Sequence, residues 1–470
     1  MTATVELPLW LLILILLFAA VTASTHLLFP SVRWFFRRRA ERIVSELNKR
    51  LERPIQPFKL LRRQDMIQRV IYDPDVVRAV ADYAENNAVR EDVAFEKARD
   101  YAREIVPSFS ASAYFGVAIR LARWIANKLF DVRLHRIDEK ALSEIDKDAT
   151  IVFVMNHRSN FDYVLVTYLA AEQSALSYAV GEWARIWPMS RLIKAMGAYF
   201  IRRQSRTALY RKVLSTYVQR ATEAGVTQAV FPEGGLSRTG EVGEPKLGIL
   251  SYIVEGWRRD GHDVVFIPSS LNYDRVVEDR VLVAAGRTGK RRFRASIPEG
   301  IVFSLRYLRR RIMGKVGRFG VAAVTFGRPV SLRDLNRSAP DNLVDTLAER
   351  LIEDIRGAVP VVNTPLAVAS LFALGGTADL DAILTEASRL RSRFAGNGLD
   401  FASPTDDRAA WQRELDILVL RHVLNHSEGL YGIAEPGLAA FYANSIKPHL
   451  DHEVVAAIPS LPAVPATEKS

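Results

Sequence analysis

The 470-residue chain contains no cysteine. That excludes disulfides, thiolate metal sites and any cysteine-bound acyl intermediate. No serine sits in a G-x-S-x-G elbow. The chain has no internal repeat of solenoid period, so stacked-repeat architectures are excluded. It also lacks any Lys or Arg before Arg33, which argues against a secretory signal peptide with its basic start. Acidic residues are nearly missing between Arg287 and Arg318, where Glu299 stands against eleven Lys or Arg.

The remaining composition is 49% hydrophobic and 25% charged. These are globular values, and they exclude wholesale disorder and a many-span membrane protein. The length predicts two to four domains or one core with large additions. The net charge of +11 favours polyanionic partners.

Leu7 to Phe29 contains no Lys, Arg, Asp or Glu. As a helix this segment would reach about 35 Å, enough for a bilayer core. Arg33, Arg37, Arg38, Arg39 and Arg42 follow it. By the positive-inside rule, residues 1–32 are predicted to be a single-pass anchor with the body on the cytoplasmic side. Such an arrangement suits a bacterial inner membrane. Nucleic acid is not an expected partner.

Residues 33–130 read as helical. Ala113–Phe130 has apolar residues at helical spacing, with Arg120, Arg123 and Lys128 on another face. It either packs on the core, the preferred reading, or lies in a membrane interface. From 131 to 330 short apolar runs alternate with helical stretches. The runs are Thr150–Met155, Leu176–Val180, Ala198–Ile201, Gln228–Phe231, Val264–Ser269 and Val321–Phe326. This pattern predicts an α/β core with a mixed, largely parallel sheet. Residues 331–450 read as helical again, and 451–470 as a disordered tail. The Arg287–Arg318 run suits anionic lipid headgroups first. An acidic carrier protein, nucleotide phosphates or a merely solvated face are the other readings.

The chemistry concentrates between 150 and 275. His157 and Asp162 lie five residues apart after an apolar run. Within one helix they would point about 140° apart. They meet only if His157 sits in a turn and Asp162 opens the next helix. A carboxylate-held imidazole is a general base with its tautomer fixed. With no cysteine and no serine elbow, the nucleophile is expected to be a substrate hydroxyl. A helix cap by Ser159 or Asn160 is the competing reading. Arg202 and Arg203 end a strand and either serve a phosphate or face solvent. Gly234 and Gly235 allow close backbone approach or form a plain turn. Glu233 holds either that loop or an acceptor alcohol.

Taken in order, these stretches resemble the glycerolipid acyltransferases with the H-x4-D signature. His157 and Asp162 match that signature, Arg202 and Arg203 the second motif, Phe231 to Gly234 the third, and Ile267-Pro268 the fourth. His157-Arg158-Ser159, Pro245-Lys246, Asn272 to Arg275 and Phe441 to Ile446 resemble the glycerol-3-phosphate and dihydroxyacetone-phosphate acyltransferases in particular. The resemblance implies acyl-CoA or acyl carrier protein as co-substrate, glycerol 3-phosphate as acceptor, and no metal or other cofactor. It implies His157 and Asp162 as catalytic residues. Substrate contacts are implied for Arg158, Ser159, Arg202, Arg203, Glu233, Gly234, Gly235, Ser237, Arg238, Lys246 and Pro268. Two positions depart from the pattern. Leu236 stands where the family usually has an arginine, and Pro232 resembles the lysophosphatidate enzymes. Lysophosphatidate and dihydroxyacetone phosphate are therefore rival acceptors. A thioester hydrolase and a non-catalytic membrane scaffold are the rival classes.

Overall fold

The computed structural model describes residues 8–17, 54–61, 63–170, 175–181, 193–202, 207–288, 317–396 and 407–461, with isolated positions 38, 45, 46, 48 and 313. The chain divides into two units, Met1–Ile55 and Gln56–Ser470. In the first, residues 9–17 are helical and Leu9, Trp10 and Leu12 to Leu17 are exposed. Most of the expected Leu7–Phe29 span, the arginines after it except Arg38, and most of the Arg287–Arg318 run lie outside the described residues. Among the described residues no helix is long and apolar enough to cross a membrane.

The second unit is built on an eight-stranded sheet in the order β1-β7-β6-β2-β5-β3-β4, with β8 also pairing β6. Its strands are β1 (Asp131–Arg136), β2 (Thr150–Met155), β3 (Ser177–Gly181), β4 (Tyr199–Ile201), β5 (Gln228–Val230), β6 (Val264–Tyr273), β7 (Val321–Phe326) and β8 (Val330–Ser331). β6, β2, β5, β3 and β4 run parallel, while β7 and β8 pair antiparallel to β6. The sheet is mixed and largely parallel, as the alternation of runs predicts.

Buried on both faces, β2 feeds two cores. Ile151, Phe153 and Met155 join one, with the helices Ile119–Leu129, Asp162–Ala170 and Asn363–Ala373. Val152 and Val154 join the other, with the helices Pro74–Asn86, Ala208–Glu223 and Leu343–Gly357. The period-two alternation of a strand buried on both faces produces this three-layer arrangement.

The structure corrects several expectations. β6 does not end at Ser269 but runs on to Tyr273, because β7 supplies an antiparallel ladder from Ser269 to Tyr273. Pro268 sits where its missing N–H is tolerated, between the segment that pairs β8 and the segment that pairs β7. The 331–450 region is not purely helical. It contains a three-stranded antiparallel sheet of β9 (Thr377–Asp379), β10 (Leu424–Ser427) and β11 (Leu430–Ile433). The β10–β11 turn is Glu428-Gly429, with φ of 52° and 78°, the positive pair that a two-residue hairpin needs. The tail does not begin disordered at 451. His452–Ala457 is a helix, and Val454 and Ile458 are buried on the core.

Candidate active site

β2 stops at Met155, and Asn156 then replaces the ladder with its side chain. Its Nδ2 donates to the Leu271 carbonyl at 2.9 Å, and its Oδ1 accepts from the Leu271 N–H at 2.7 Å. The main chain is thereby released to turn. His157 sits in that turn, and the next helix opens at Asp162, the arrangement that a five-residue spacing requires.

His157 Nδ1 lies 2.9 Å from Asp162 Oδ2, and both side chains are buried. The same Oδ2 accepts from the Arg158 N–H at 2.7 Å and the Ser159 N–H at 3.0 Å. The other oxygen, Oδ1, accepts from the Tyr273 hydroxyl at 2.5 Å. Four donors therefore converge on one carboxylate, which fixes its position. Burial, followed by the charge of Asp162, raises the Tyr273 pKa, so the phenol stays a donor. The His157 ring stacks on Phe231 at 4.2 Å and meets Tyr163 edge-on at 5.4 Å.

Glu233 follows β5 and holds the backbone of this corner. Its Oε1 accepts from the His157 N–H at 2.8 Å and its Oε2 from the Gly243 N–H at 3.0 Å. Burial pushes its pKa up to about 7, against the pull of those two N–H groups and the Arg158 charge. Of its two predicted roles, the one seen is holding the loop. Ser237 also acts on the loop. Its N–H donates to the His157 carbonyl at 2.8 Å, and its hydroxyl donates to the Glu241 carbonyl at 2.7 Å. Gly234 has φ +67° and donates its N–H to the Phe231 carbonyl at 3.0 Å. A Cβ there would press on the Lys246 side chain, which places Lys246 over the glycine turn. Gly235, Leu236 and Arg238 are part-buried in the same loop, and Leu236 packs on the apolar core.

The predicted cations do not all gather. Arg158 is buried and donates to the Gly240 carbonyl, with the Phe441 ring 4.9 Å from its guanidinium. Burial lowers its pKa, and nearby Tyr442, Asp162 and Glu233 oppose the shift. Arg202 donates through Nε and Nη2 to Glu104, the shortest contact being 2.6 Å. That bond to Glu104 raises its pKa. Arg203 lies outside the described residues. Pro268 is buried in β6, where its carbonyl accepts from the Gly327 N–H at 2.8 Å.

Ser159 is bonded within the turn and to Glu278. Its oxygen accepts from the Phe161 N–H at 3.1 Å, and its hydroxyl donates to Glu278 Oε2 at 2.8 Å. Glu278 carried no sequence signal, and burial raises its pKa. The distant Phe441–Ser445 stretch closes the loop from the other side. Asn444 Nδ2 donates to the Thr239 carbonyl at 2.9 Å. Gly240, at φ +91°, has no room for a Cβ against the Phe441 carbonyl. Among the described residues no group of His, Asp and Glu is arranged to hold a metal ion.

Two family models match the chain. Residues 136–272 match the acyltransferase model, and residues 304–453 match the C-terminal region of glycerol-3-phosphate acyltransferases. Over these two regions the chain is similar to glycerol-3-phosphate acyltransferases. Among curated relatives, the glycerol-3-phosphate acyltransferase of Shewanella woodyi is 29% identical over 67% of this chain and 40% of its own length. That of Pseudomonas fluorescens is 28% identical over 65% and 36%, and that of Shewanella loihica 30% over 64% and 37%. The chain thus spans about two fifths of the length of these relatives. A solved 1-acyl-sn-glycerophosphate (LPA) acyltransferase from Thermotoga maritima aligns with a TM-score of 0.31 at 19% identity, covering 52% of this chain and 78% of that one. That likeness is too low to bear on the fold.

Proposed function

We propose that this protein moves a fatty acyl group from acyl-CoA, or from acyl carrier protein, to the sn-1 hydroxyl of glycerol 3-phosphate, giving lysophosphatidate. The observation that carries this reading is the buried His157–Asp162 pair at 2.9 Å, with four donors on the carboxylate. Asp162 accepts from Nδ1–H, so Nε2 is the nitrogen that takes a proton. It removes the proton from the sn-1 hydroxyl. The alkoxide attacks the thioester carbonyl, the C–S bond breaks, and the thiolate leaves and recovers the proton from His157. No covalent acyl-enzyme and no metal enter this scheme. Lys246 and Arg238, on the glycine loop, meet the acceptor phosphate in this reading. In the structure Arg158 donates to the Gly240 carbonyl and Arg202 to Glu104.

Leu236 favours a second reading. It packs on apolar residues where the family usually offers a charge, so lysophosphatidate is the rival acceptor. Purified protein with labelled acyl-CoA and glycerol 3-phosphate, dihydroxyacetone phosphate or lysophosphatidate in parallel tests the choice. Transfer to glycerol 3-phosphate is expected. Acylation of lysophosphatidate alone would move the assignment, and acyl release without an acceptor would make the protein a hydrolase. The single N-terminal anchor, the cytoplasmic body and the anionic-lipid contact of the Arg287–Arg318 run belong to this proposal. Protease added to sealed inside-out vesicles should digest the body, and added to right-side-out vesicles should not.

A further inference from the structure

Arg238 and Lys246, given to the acceptor phosphate in the proposed function, are joined by residues 239–245, which form neither helix nor strand. The stretch contains Gly240 and Gly243. A glycine-bearing loop left to itself samples many conformations, and ordering it when a ligand binds weakens the binding. Here the loop is held from outside along its length. The Thr239 carbonyl accepts from Asn444 Nδ2 at 2.9 Å. Gly240 lies against the Phe441 carbonyl, where no Cβ would fit. Glu241 Oε1 accepts from Lys447 Nζ at 2.7 Å. The Val242 carbonyl accepts from Arg356 Nη2 at 3.1 Å, and the same nitrogen donates to Glu244 Oε1 at 2.7 Å. Every one of these holders lies within residues 304–453, the C-terminal match, while the loop lies within 136–272, the acyltransferase match.

We propose that the C-terminal region sets the affinity for the acceptor, with Asn444, Lys447 and Arg356 as positioning residues that hold 239–244 in the course that keeps Arg238 and Lys246 on the acceptor phosphate. The holders are themselves fixed. Asn444 and Ser445 are buried, and Ser445 Oγ lies 3.2 Å from Asn272 Nδ2 in β6. The Tyr442 hydroxyl accepts from the Val276 N–H at 3.2 Å and donates to Asp279 Oδ2 at 2.6 Å. Arg356 stands at the end of the helix Leu343–Gly357, which packs on the sheet. β6 also supplies Tyr273 to Asp162, so the loop and the His157 corner share one frame. Removing a holder leaves the base and its carboxylate untouched. Its effect therefore falls on acceptor binding rather than on the chemical step. The use of the loop for an acceptor phosphate rests on the acyltransferase reading, whereas the holding of the loop does not.

Two measurements on the full chain separate the holding from its use. Amide hydrogen exchange reads the loop, where the N–H groups of Gly240, Gly243 and Lys246 are all bonded. Steady-state kinetics with glycerol 3-phosphate and acyl-CoA reads the consequence. Asn444→Ala should speed exchange across 238–246. It should raise the acceptor KM about three- to tenfold, the loss of one hydrogen bond, with kcat and the acyl-CoA KM within about twofold of wild type. Lys447→Glu should act in the same direction by about threefold, as expected for an exposed pair. Lys447→Glu combined with Glu241→Lys should restore both readouts, which a general loss of stability would not do. Exchange in the buried helix Asn363–Ala373 should stay unchanged in all three proteins and so verifies folding. Unchanged exchange across 238–246 in both single variants overturns the proposal. So does faster exchange with the acceptor KM unmoved, or a charge swap that restores neither readout. A wild-type chain that acylates none of glycerol 3-phosphate, dihydroxyacetone phosphate and lysophosphatidate would sink the acyltransferase reading, and the exchange result alone would then uphold or overturn the holding of the loop.

Discussion

The His157–Asp162 corner and the arginines named with it behave oppositely. In the corner, every predicted partner arrives. The imidazole, the carboxylate and the loop backbone lie within hydrogen-bond distance of one another. Of the arginines, Arg158 turns inward to Gly240 and Phe441, and Arg202 turns aside to Glu104. The difference is physical. A five-residue spacing across a strand–turn–helix leaves a short side chain few places to go. A guanidinium on a flexible stem reaches any carboxylate or carbonyl nearby. Motif spacing thus fixes where a short side chain goes far better than where a guanidinium goes.

The largest effect expected from breaking this contrast is at the base. His157→Ala should lower turnover by about 10²–10⁴-fold, with the thermal unfolding curve little changed. Near wild-type turnover at saturating acceptor would remove His157 from the chemistry. Asp162→Ala should cost a similar factor, because the imidazole loses its tautomer and its anchor together.

Glu233 comes next, and its effect is on stability. Its folded-state pKa of about 7 lies above the ordinary 4.5. The folded protein therefore binds this proton more tightly than the unfolded chain. The corresponding stability is complete below about 4.5 and is lost as pH rises through about 7, by at most about 3 kcal/mol. Glu233→Gln cannot titrate. Its Tm relative to wild type should climb between pH 4.5 and 7, whatever constant offset the amide introduces. A flat difference across that window would mean the carboxyl is not held as described.

Tyr273→Phe removes one of four donors from Asp162. A hydrogen bond to a charged group contributes about 1.5–3 kcal/mol, so kcat should fall roughly 10- to 100-fold. The acceptor KM should move little, since Tyr273 touches Asp162 and not the loop cations. A KM effect with kcat unchanged would reassign Tyr273 from positioning the carboxylate to binding substrate.

The fold was legible wherever burial dictates composition. The apolar runs at 150–155 and 321–326 are strands with those same bounds, because strands buried on both faces tolerate little else. β1, Asp131–Arg136, was not foreseen. It carries three charged residues and a histidine and is only partly buried, as an edge strand is free to be. The extension of β6 was hidden because Asn272 and Asp274 read as turn residues. In the fold the Asn272 amide donates to the Pro360 carbonyl at 2.9 Å, and Asp274 accepts from the Val321 N–H at 2.7 Å. In the site, the meeting of His157 and Asp162 was legible only as a condition, that His157 sits in a turn and Asp162 opens the next helix, and the fold meets it. Glu278 and the partner of Arg202 were not legible, since contacts across 119 and 98 residues leave no local pattern.

The smallest expected effect is the sharpest test of the contrast. Arg202 matches an arginine motif, yet its Nε and Nη2 donate to Glu104 on the helix Glu91–Ile105, with its guanidinium 5.1 Å from the Tyr101 ring and 5.4 Å from the Tyr210 ring. A guanidinium so held ties that helix to the end of β4. Its removal should lower stability by only about 1 kcal/mol, because the side chain is still 28% exposed and solvent screens the pair. Arg202→Ala should therefore lower Tm slightly and leave the KM for glycerol 3-phosphate unchanged. Glu104→Gln should lower Tm alike, and the double variant should lose less than the sum of the two, as coupled partners do. Arg238→Ala and Lys246→Ala, on the glycine loop, should instead raise the acceptor KM. If Arg202→Ala raises the acceptor KM and Glu104→Gln does not, the arginine leaves Glu104 for the phosphate during the reaction, and its motif position reported its role after all.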